Sequence, residues 1–169
     1  MSQRIAVLGN SSGGKSTLAR RLAVEHGLPL HEIDKLLWRP GWVLAPTEDY
    51  EAAHAEILAR GTWLLDGLGR LESVGARLAR ATSIVLIDLP LWVHFWLAAE
   101  RQLAWARGDL EHTPGEHEAM PPTKALFETI WTVEQDFMPT VRRLVDEREA
   151  QGAEVRRLAT LEEVEGFRL

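Results

Sequence analysis

Gly9-Asn10-Ser11-Ser12-Gly13-Gly14-Lys15-Ser16 fits the pattern G-x-x-x-x-G-K-[ST], a phosphate-binding loop. The chemistry of a polyphosphate explains each residue type. Gly9, Gly13 and Gly14 let the backbone reach angles that a Cβ forbids, so successive N–H groups can turn inward around an anion. Lys15 adds a point charge within reach of the β- and γ-phosphates. Ser16 places a hydroxyl where Mg²⁺ would sit, at a helix N-terminus whose dipole favours negative charge. With Asn10, Ser11, Ser12 and Thr17, these residues form the expected nucleotide site. The flanks agree. Arg4 to Leu8 is a short apolar run, as a buried parallel strand requires. Thr17 to Val24 carries apolar residues at helical spacing, and Gly27 is a suitable stop.

Working outward, the same alternation continues. Leu28 to Asp34 reads as a second strand ending in an acid, which would bring Asp34 beside the metal or the phosphoryl acceptor; a loop carboxylate or helix cap is the competing reading. Trp38-Arg39-Pro40-Gly41-Trp42 contains a turn, and its tryptophans either wall a pocket or cover the core edge. Thr47 can cap a helix that runs to about Arg60. Thr62 to Gly67 is an apolar strand that delivers Asp66 at its C-terminal end, where a carboxylate can hold the water shell of Mg²⁺. Arg70 lies just beyond, placed to grip a phosphate or to form a surface ion pair.

A short helix, Leu71 to Arg80, leads to a fourth buried strand, Ser83 to Leu89. The next helix carries Trp92 and Trp96 on one face, read as core, and extends through Arg101 to Arg107. Gly108 to Pro122 breaks the periodicity and reads as a small lid; its histidines and glutamates match no strong metal-ligand spacing. A helical region from Lys124 to about Gln151 is interrupted at Pro139. Ala153 to Leu158 is a fifth strand, and Thr160-Leu161-Glu162-Glu163 is a capping box. The expected fold is α/β: a five-stranded parallel sheet with helices on both faces and the lid at 108–122, in one domain over 1–169.

Composition narrows the function classes. The chain has 169 residues, 46% hydrophobic and 26% charged, with a net charge of −6. The acidic balance argues against direct nucleic-acid binding. The absence of cysteine rules out disulfides, thiolate metal sites and cysteine nucleophiles and fits a reducing, cytoplasmic setting. No signal peptide is expected ahead of a strand that opens at Arg4, and no apolar run is long enough for a membrane span.

Taken together, these stretches resemble the P-loop nucleoside and nucleotide kinases of the adenylate kinase type. Leu64-Leu65-Asp66-Gly67-Leu68-Gly69-Arg70 is similar to their L-L-D-G-F-P-R stretch, in which the Asp belongs to the Mg²⁺ surroundings and the Arg holds the acceptor phosphate. A closer resemblance is to adenylate-kinase-related proteins labelled DNA topology modulation proteins. It is carried by Gly9 to Thr17, His31 with Asp34, Trp38 to Trp42, and Trp63 with Asp66-Gly67. Leu68-Gly69 stands where that group has Asn-Tyr. The T-G-D of adenylate kinases is absent, and Val74 replaces their acceptor-binding Gln. The lid arginines of the family correspond to Arg101 and Arg107, about one helical turn further along.

The resemblance implies an ATP-dependent phosphotransferase using ATP and Mg²⁺. Lys15, Asp34, Asp66, Arg70, Arg101 and Arg107 would be its catalytic residues, and Ser16 and Asp66 its metal side. The acceptor stays open: a nucleotide, a nucleoside or another small metabolite. The alternative is a nucleotide-binding regulator with little or no kinase activity. The second acid of many ATPases is missing after Asp66, and the guanine-specific N-K-x-D is absent.

Overall fold

The computed structural model describes residues 3–110 and 119–169. Its centre is a five-stranded sheet in the order β2-β5-β1-β6-β7, in which every pairing is parallel. The strands are β1 (Arg4–Gly9), β2 (Leu30–Glu32), β5 (Trp63–Asp66), β6 (Ser83–Ile87) and β7 (Glu154–Leu158). A two-stranded antiparallel ribbon, β3 (Trp38–Arg39) and β4 (Val43–Leu44), stands apart from it. The helices are α1 (Lys15–His26), α2 (Ile33–Leu37), α3 (Thr47–Ala59), α4 (Leu71–Arg80), α5 (Leu91–Arg107), α6 (Thr123–Thr132), α7 (Met138–Ala150) and α8 (Leu161–Gly166).

Strand alternation splits the core in two. Ala6, Leu8, Leu65, Ile84 and Leu86 point to one face and pack against α3, α4 and α7. Ile5, Val7, Leu64, Val85 and Ile87 point to the other, under α1, α5 and α8. A strand buried on both faces must be apolar along its buried length, and Ile5–Leu8 of β1, Trp63–Leu65 of β5 and Ile84–Ile87 of β6 are. This is the expected α/β architecture, with helices on both faces of a five-stranded parallel sheet. No described helix is long and apolar enough to cross a membrane.

Four local expectations are corrected. β2 has three residues, and Asp34 follows it on α2 rather than ending it. The strand pairs only with β5, and Ile33 turns fully inward, which starts the helix there. Thr47 is the first residue of α3, after Pro46, and its side chain makes no cap. Trp92 and Trp96 are 67% and 59% exposed, not core. The inward face of α5 is taken by Val93, His94, Ala98 and Gln102, which leaves both tryptophans outside. The break in the long helical region is a π-helical turn at Val133–Phe137, where the N–H of Met138 bonds the carbonyl of Val133. Pro139 then falls in the first turn of α7, where its missing N–H costs nothing. The capping box forms: Glu163 N–H donates to Thr160 Oγ1 at 3.2 Å, and Glu163 Oε2 accepts from Thr160 N–H at 3.3 Å.

Of the expected lid at 108–122, residues 111–118 lie outside the described residues. Gly108 ends α5 in the left-handed conformation, and Pro122 precedes α6.

Candidate functional site

The loop between β1 and α1 sits at the C-terminal edge of the sheet, where open parallel sheets bind ligands. Gly9 has φ 148°, and a Cβ there would meet the Ile87 carbonyl oxygen at 2.4 Å, so only glycine lets β1 pass β6 into the loop. Gly13 is needed for space rather than for its angles: a Cβ would meet His94 Cε1 at 2.8 Å. Asn10 is fully buried. Its Oδ1 accepts from Ser11 N–H at 2.7 Å, and its Nδ2 donates to Ile130 O at 2.9 Å. His94, also buried, places Nδ1 2.8 Å from the Ser11 carbonyl oxygen. A carbonyl only accepts, so the ring carries its proton on Nδ1.

Lys15 Nζ donates to Asn10 O at 2.6 Å, folded back over the loop. Burial pushes its pKa below the ordinary lysine value, against the opposing pull of Asp66 and Asp34. Asp66, at the end of β5, is 3% exposed. Burial raises its carboxyl to about 6, although Lys15 and a hydrogen bond from Ser16 act to lower it. Its Oδ1 has no hydrogen-bond partner, nor has the buried Ser12 Oγ. Buried polar atoms left open in this way cost free energy unless a ligand completes them. These residues therefore fit a polyphosphate with Mg²⁺: the loop amides and Lys15 would take phosphate, while Ser16 and the open Asp66 oxygen would face the metal. Among the described residues, no group of three or more histidine or acidic side chains could hold a metal alone.

The loop opens into a pocket of about 550 Å³. The sequence candidates Asp34, Asp66 and Arg101 line it with the loop, and so do Trp38 and Trp42. The open question about the two tryptophans thus resolves toward the pocket wall. Their rings meet edge to face, with centroids 6.0 Å apart, and Trp42 Nε1 donates to Ala119 O at 3.0 Å. Among the described residues, Ser12 and Trp42 alone are non-glycine residues at positive φ, each at 60°. Such backbone costs on the order of 1–3 kcal/mol and gathers at functional sites; here both residues line the same pocket. Val133 and Phe137, the ends of the π-helical turn, line it as well.

Arg101 is largely buried. Desolvation lowers its pKa, and Asp34 opposes the shift. Arg70 lies elsewhere. Its guanidinium donates to Ala45 O at 2.8 Å and stands 5.6 Å from the centre of the Tyr50 ring. Arg107 is exposed on the last turn of α5. Neither is among the pocket residues. His31 is on β2, paired in register with Leu65, with Nε2 buried and unpartnered.

Several supporting residues escaped the sequence reading. Glu32 lines the pocket. Burial acts to raise its pKa, but Lys35 and Arg20 outweigh that and hold it below the ordinary value. Arg77 is fully buried on α4. It donates to the carbonyls of Gly67 and Leu68 and so clamps the turn that follows Asp66. Arg142 donates to Asp88 at 2.7 Å and to Glu134 at 2.8 Å, tying the π-helical turn to the end of β6. The one available signal was the charge itself, on β2 for Glu32 and on helices for Arg77 and Arg142, and that does not say where a side chain points.

Strand, glycine-rich loop and helix on a parallel sheet, with an acid on the neighbouring strand, define the P-loop class of α/β proteins. No protein-family model and no curated protein matches the chain. Among solved structures it is similar to a gluconokinase from Sinorhizobium meliloti 1021, at 20% identity over 90% of this chain and 94% of that one, with a TM-score of 0.49. A likeness of that degree speaks to neither substrate nor activity.

Proposed function

We propose that the protein is an ATP-dependent phosphotransferase of adenylate-kinase-like type that passes the γ-phosphoryl group of ATP to a small-molecule acceptor. The observation that carries this reading is a single pocket lined by Lys15, Ser16 and Asp66 together with a second set, Asp34, Arg101 and the two tryptophans. A nucleotide-binding regulator needs only the first set. Phosphoryl transfer asks the protein for positioning and charge, not covalent chemistry. The loop amides and Lys15 hold the donor phosphates. Bound Mg²⁺ would neutralise phosphate charge beside Ser16 and Asp66. Asp34 orients the acceptor hydroxyl and takes its proton as the oxygen attacks the γ-phosphorus; the bond to the β,γ-bridging oxygen breaks, and ADP leaves with the electron pair. Arg101 offsets the charge on the transferring group. Arg70 and Arg107, outside the pocket here, would contribute only after moving. Residues 1–169 act as one kinase domain in this reading.

The resemblance to DNA topology modulation proteins gains support from Asp34, Trp38 and Trp42, which meet in the pocket. The net charge of −6 works against direct DNA binding. The test is ADP release from Mg²⁺–ATP across a panel of small hydroxyl compounds, with Lys15→Ala as the blank. Acceptor-dependent release that Lys15→Ala abolishes supports the kinase. Tight ATP binding with no acceptor-dependent release supports the regulator.

A further inference from the structure

Helix α5 is apolar on two opposite sides. Its inward side is fully engaged: Val93 packs beside the sheet, His94 holds the phosphate loop, and Ala98 and Gln102 meet α6 and its entry. The opposite side carries Trp92, Trp96, Ala99, Leu103 and Ala106, all exposed. Steps of four, three, four and three residues keep them in one narrow row, the pattern of a helix that pairs with another helix. The outer face of a helix is normally charged, yet no charged residue stands in this row. Helix α6 extends it. The Phe95 and Phe127 rings have centroids 5.3 Å apart, and Gln102 Nε2 donates to Pro121 O just before α6 begins. The two helices therefore run antiparallel, and Trp131, one turn beyond Phe127, falls level with Trp92. Leu103 is 51% and Trp131 55% exposed.

Area, chemistry and volume say what covers the row. At these exposures the three tryptophans and Leu103 leave on the order of 500 Å² of apolar surface open. A stable protein pair buries about 800 Å² from each partner, and homodimer interfaces are about 65% apolar. The patch thus has the size of the apolar centre of one such interface. The undescribed residues 111–118 hold three glutamates, two histidines and no large apolar residue, so that segment brings nothing to cover it. A second row of the same kind does. Laid antiparallel about Ala99, two copies set Trp92 against Ala106, Trp96 against Leu103 and Ala99 against itself. Large residues then face smaller ones along the whole row, as close packing requires.

We infer that the protein forms a two-fold dimer through α5, the two helices antiparallel with Ala99 at the axis and Trp131 of α6 at the border. The inference stands apart from the kinase reading. Leu97 and Arg101, which line the pocket, are on the other side of α5, so pairing leaves the site open. A two-fold pairing also has a signature in charge. Glu100 is exposed next to Ala99, so each copy meets its own image beside the axis, a repulsion that salt screens.

The experiment is sedimentation of the full chain from about 1 to about 100 µM. A reversible monomer–dimer equilibrium that tightens as salt is raised is expected. Trp96→Glu should weaken it about ten-fold or more, with Tm and affinity for a non-hydrolysable ATP analogue unchanged. Ala99→Trp adds apolar surface but blocks the close approach at the axis, so it should weaken the dimer too. The chain has no cysteine, so under mild oxidation Ala99→Cys should give a covalent dimer, and Glu128→Cys on α6 should not. A wild-type chain that stays monomeric throughout overturns the inference, whether or not it binds lipid vesicles. So does a dimer that salt dissolves, or one that Trp96→Glu leaves intact. Stronger association in Ala99→Trp, or no cross-linking in Ala99→Cys, would mean that the row is merely adhesive and overturns the inference as well.

Discussion

The side-chain amide of Asn10 and the carbonyl of Ile130 are 120 residues apart in sequence and 2.9 Å apart in space. This one bond fastens the phosphate loop to α6, and Asn10 Oδ1 braces the loop by accepting from Ser11 N–H. Asn10→Ala leaves the Ser11 amide without its partner and cuts the tie to the Ile130 carbonyl, which keeps the Val133 N–H. The expected cost is about 2 kcal/mol, or roughly 4–8 °C in Tm for a chain of this size. Asn10→Asp should cost more, because a carboxylate would then face the Ile130 carbonyl and the bound phosphates. Thermal melts with and without Mg²⁺–ATP check both. An alanine variant that melts like wild type would show that the tie to α6 is unimportant.

His54 supplies a pH prediction. Its Nε2 lies 3.3 Å from Arg77 Nε, so it accepts and the ring is neutral. Burial, then the Arg77 charge, lowers its pKa to about 4, against about 6.5 in an unfolded chain. The unfolded state therefore binds the proton first. The stability contributed by neutral His54 is complete above pH 6.5 and is lost as pH falls toward 4. His31 and His94 are lowered as well, mainly by burial, and act in the same direction. A variant is thus required to isolate His54. His54→Gln keeps an acceptor for Arg77 and removes the titration. Its Tm should fall less steeply than that of wild type between pH 6.5 and 4, with parallel curves above pH 7. Identical slopes would refute the assignment.

Arg101 and Arg107 separate by position. Arg101 lines the pocket near Asp34, while Arg107 is exposed two turns further along α5. An arginine that offsets charge in the transferring group acts mainly in the transition state. Arg101→Ala should lower kcat about 100-fold or more and change ATP affinity less than ten-fold. Arg107→Ala should lower kcat less than ten-fold. Steady-state kinetics with an identified acceptor, beside ATP titration, decides between them; a larger kcat loss for Arg107→Ala would mean that the end of α5 moves over the phosphates.

The architecture was legible because its signals are local and redundant. A glycine-rich loop between an apolar strand and an amphipathic helix leaves little freedom, and two further apolar runs supply β5 and β6, while β2 and β7, at the sheet edges, are more polar. Asp66 was legible for the same reason, since an acid at the end of a buried strand has one place to go. Asp34 was misplaced by a turn because an edge strand can stop early when the next apolar residue, Ile33, rotates inward. Arg70 was not legible at all. The resemblance implies a phosphate ligand at its position, yet its guanidinium is directed to the carbonyl of Ala45 and the ring of Tyr50, which sequence spacing does not reveal. Trp92 and Trp96 share a face, as expected, but periodicity says which residues stand together and not which side is covered. His94 and Arg77 support the site from beneath and match no motif.

The last prediction concerns Asp66, buried at the end of β5 with its Oδ1 unpartnered. Its carboxyl titrates at about 6 through burial, against about 3.9 in an unfolded chain. The folded state therefore binds the proton more tightly. The stability of the protonated form is fully present below about pH 3.9 and is lost as pH rises through 6. At pH 8, without nucleotide or metal, the buried carboxylate is a burden. Asp66→Asn removes that charge and keeps an oxygen to accept from Ser16. The variant should be more stable than wild type at pH 8 by on the order of 2 kcal/mol, reduced by whatever Lys15 loses with its neighbour, and the gain should vanish below pH 4. Nucleotide binding should move the other way. A neutral amide is a poorer partner for Mg²⁺ and its waters, so Asp66→Asn should bind ATP about equally with and without Mg²⁺, whereas wild type gains affinity from the metal and loses that gain as pH falls through 6. Melts across pH 4–8 and ATP titrations with Mg²⁺ or EDTA measure both halves. A variant less stable at pH 8 yet unchanged in its response to Mg²⁺ would make Asp66 a structural acid held by Lys15 and Ser16, with no part in metal binding.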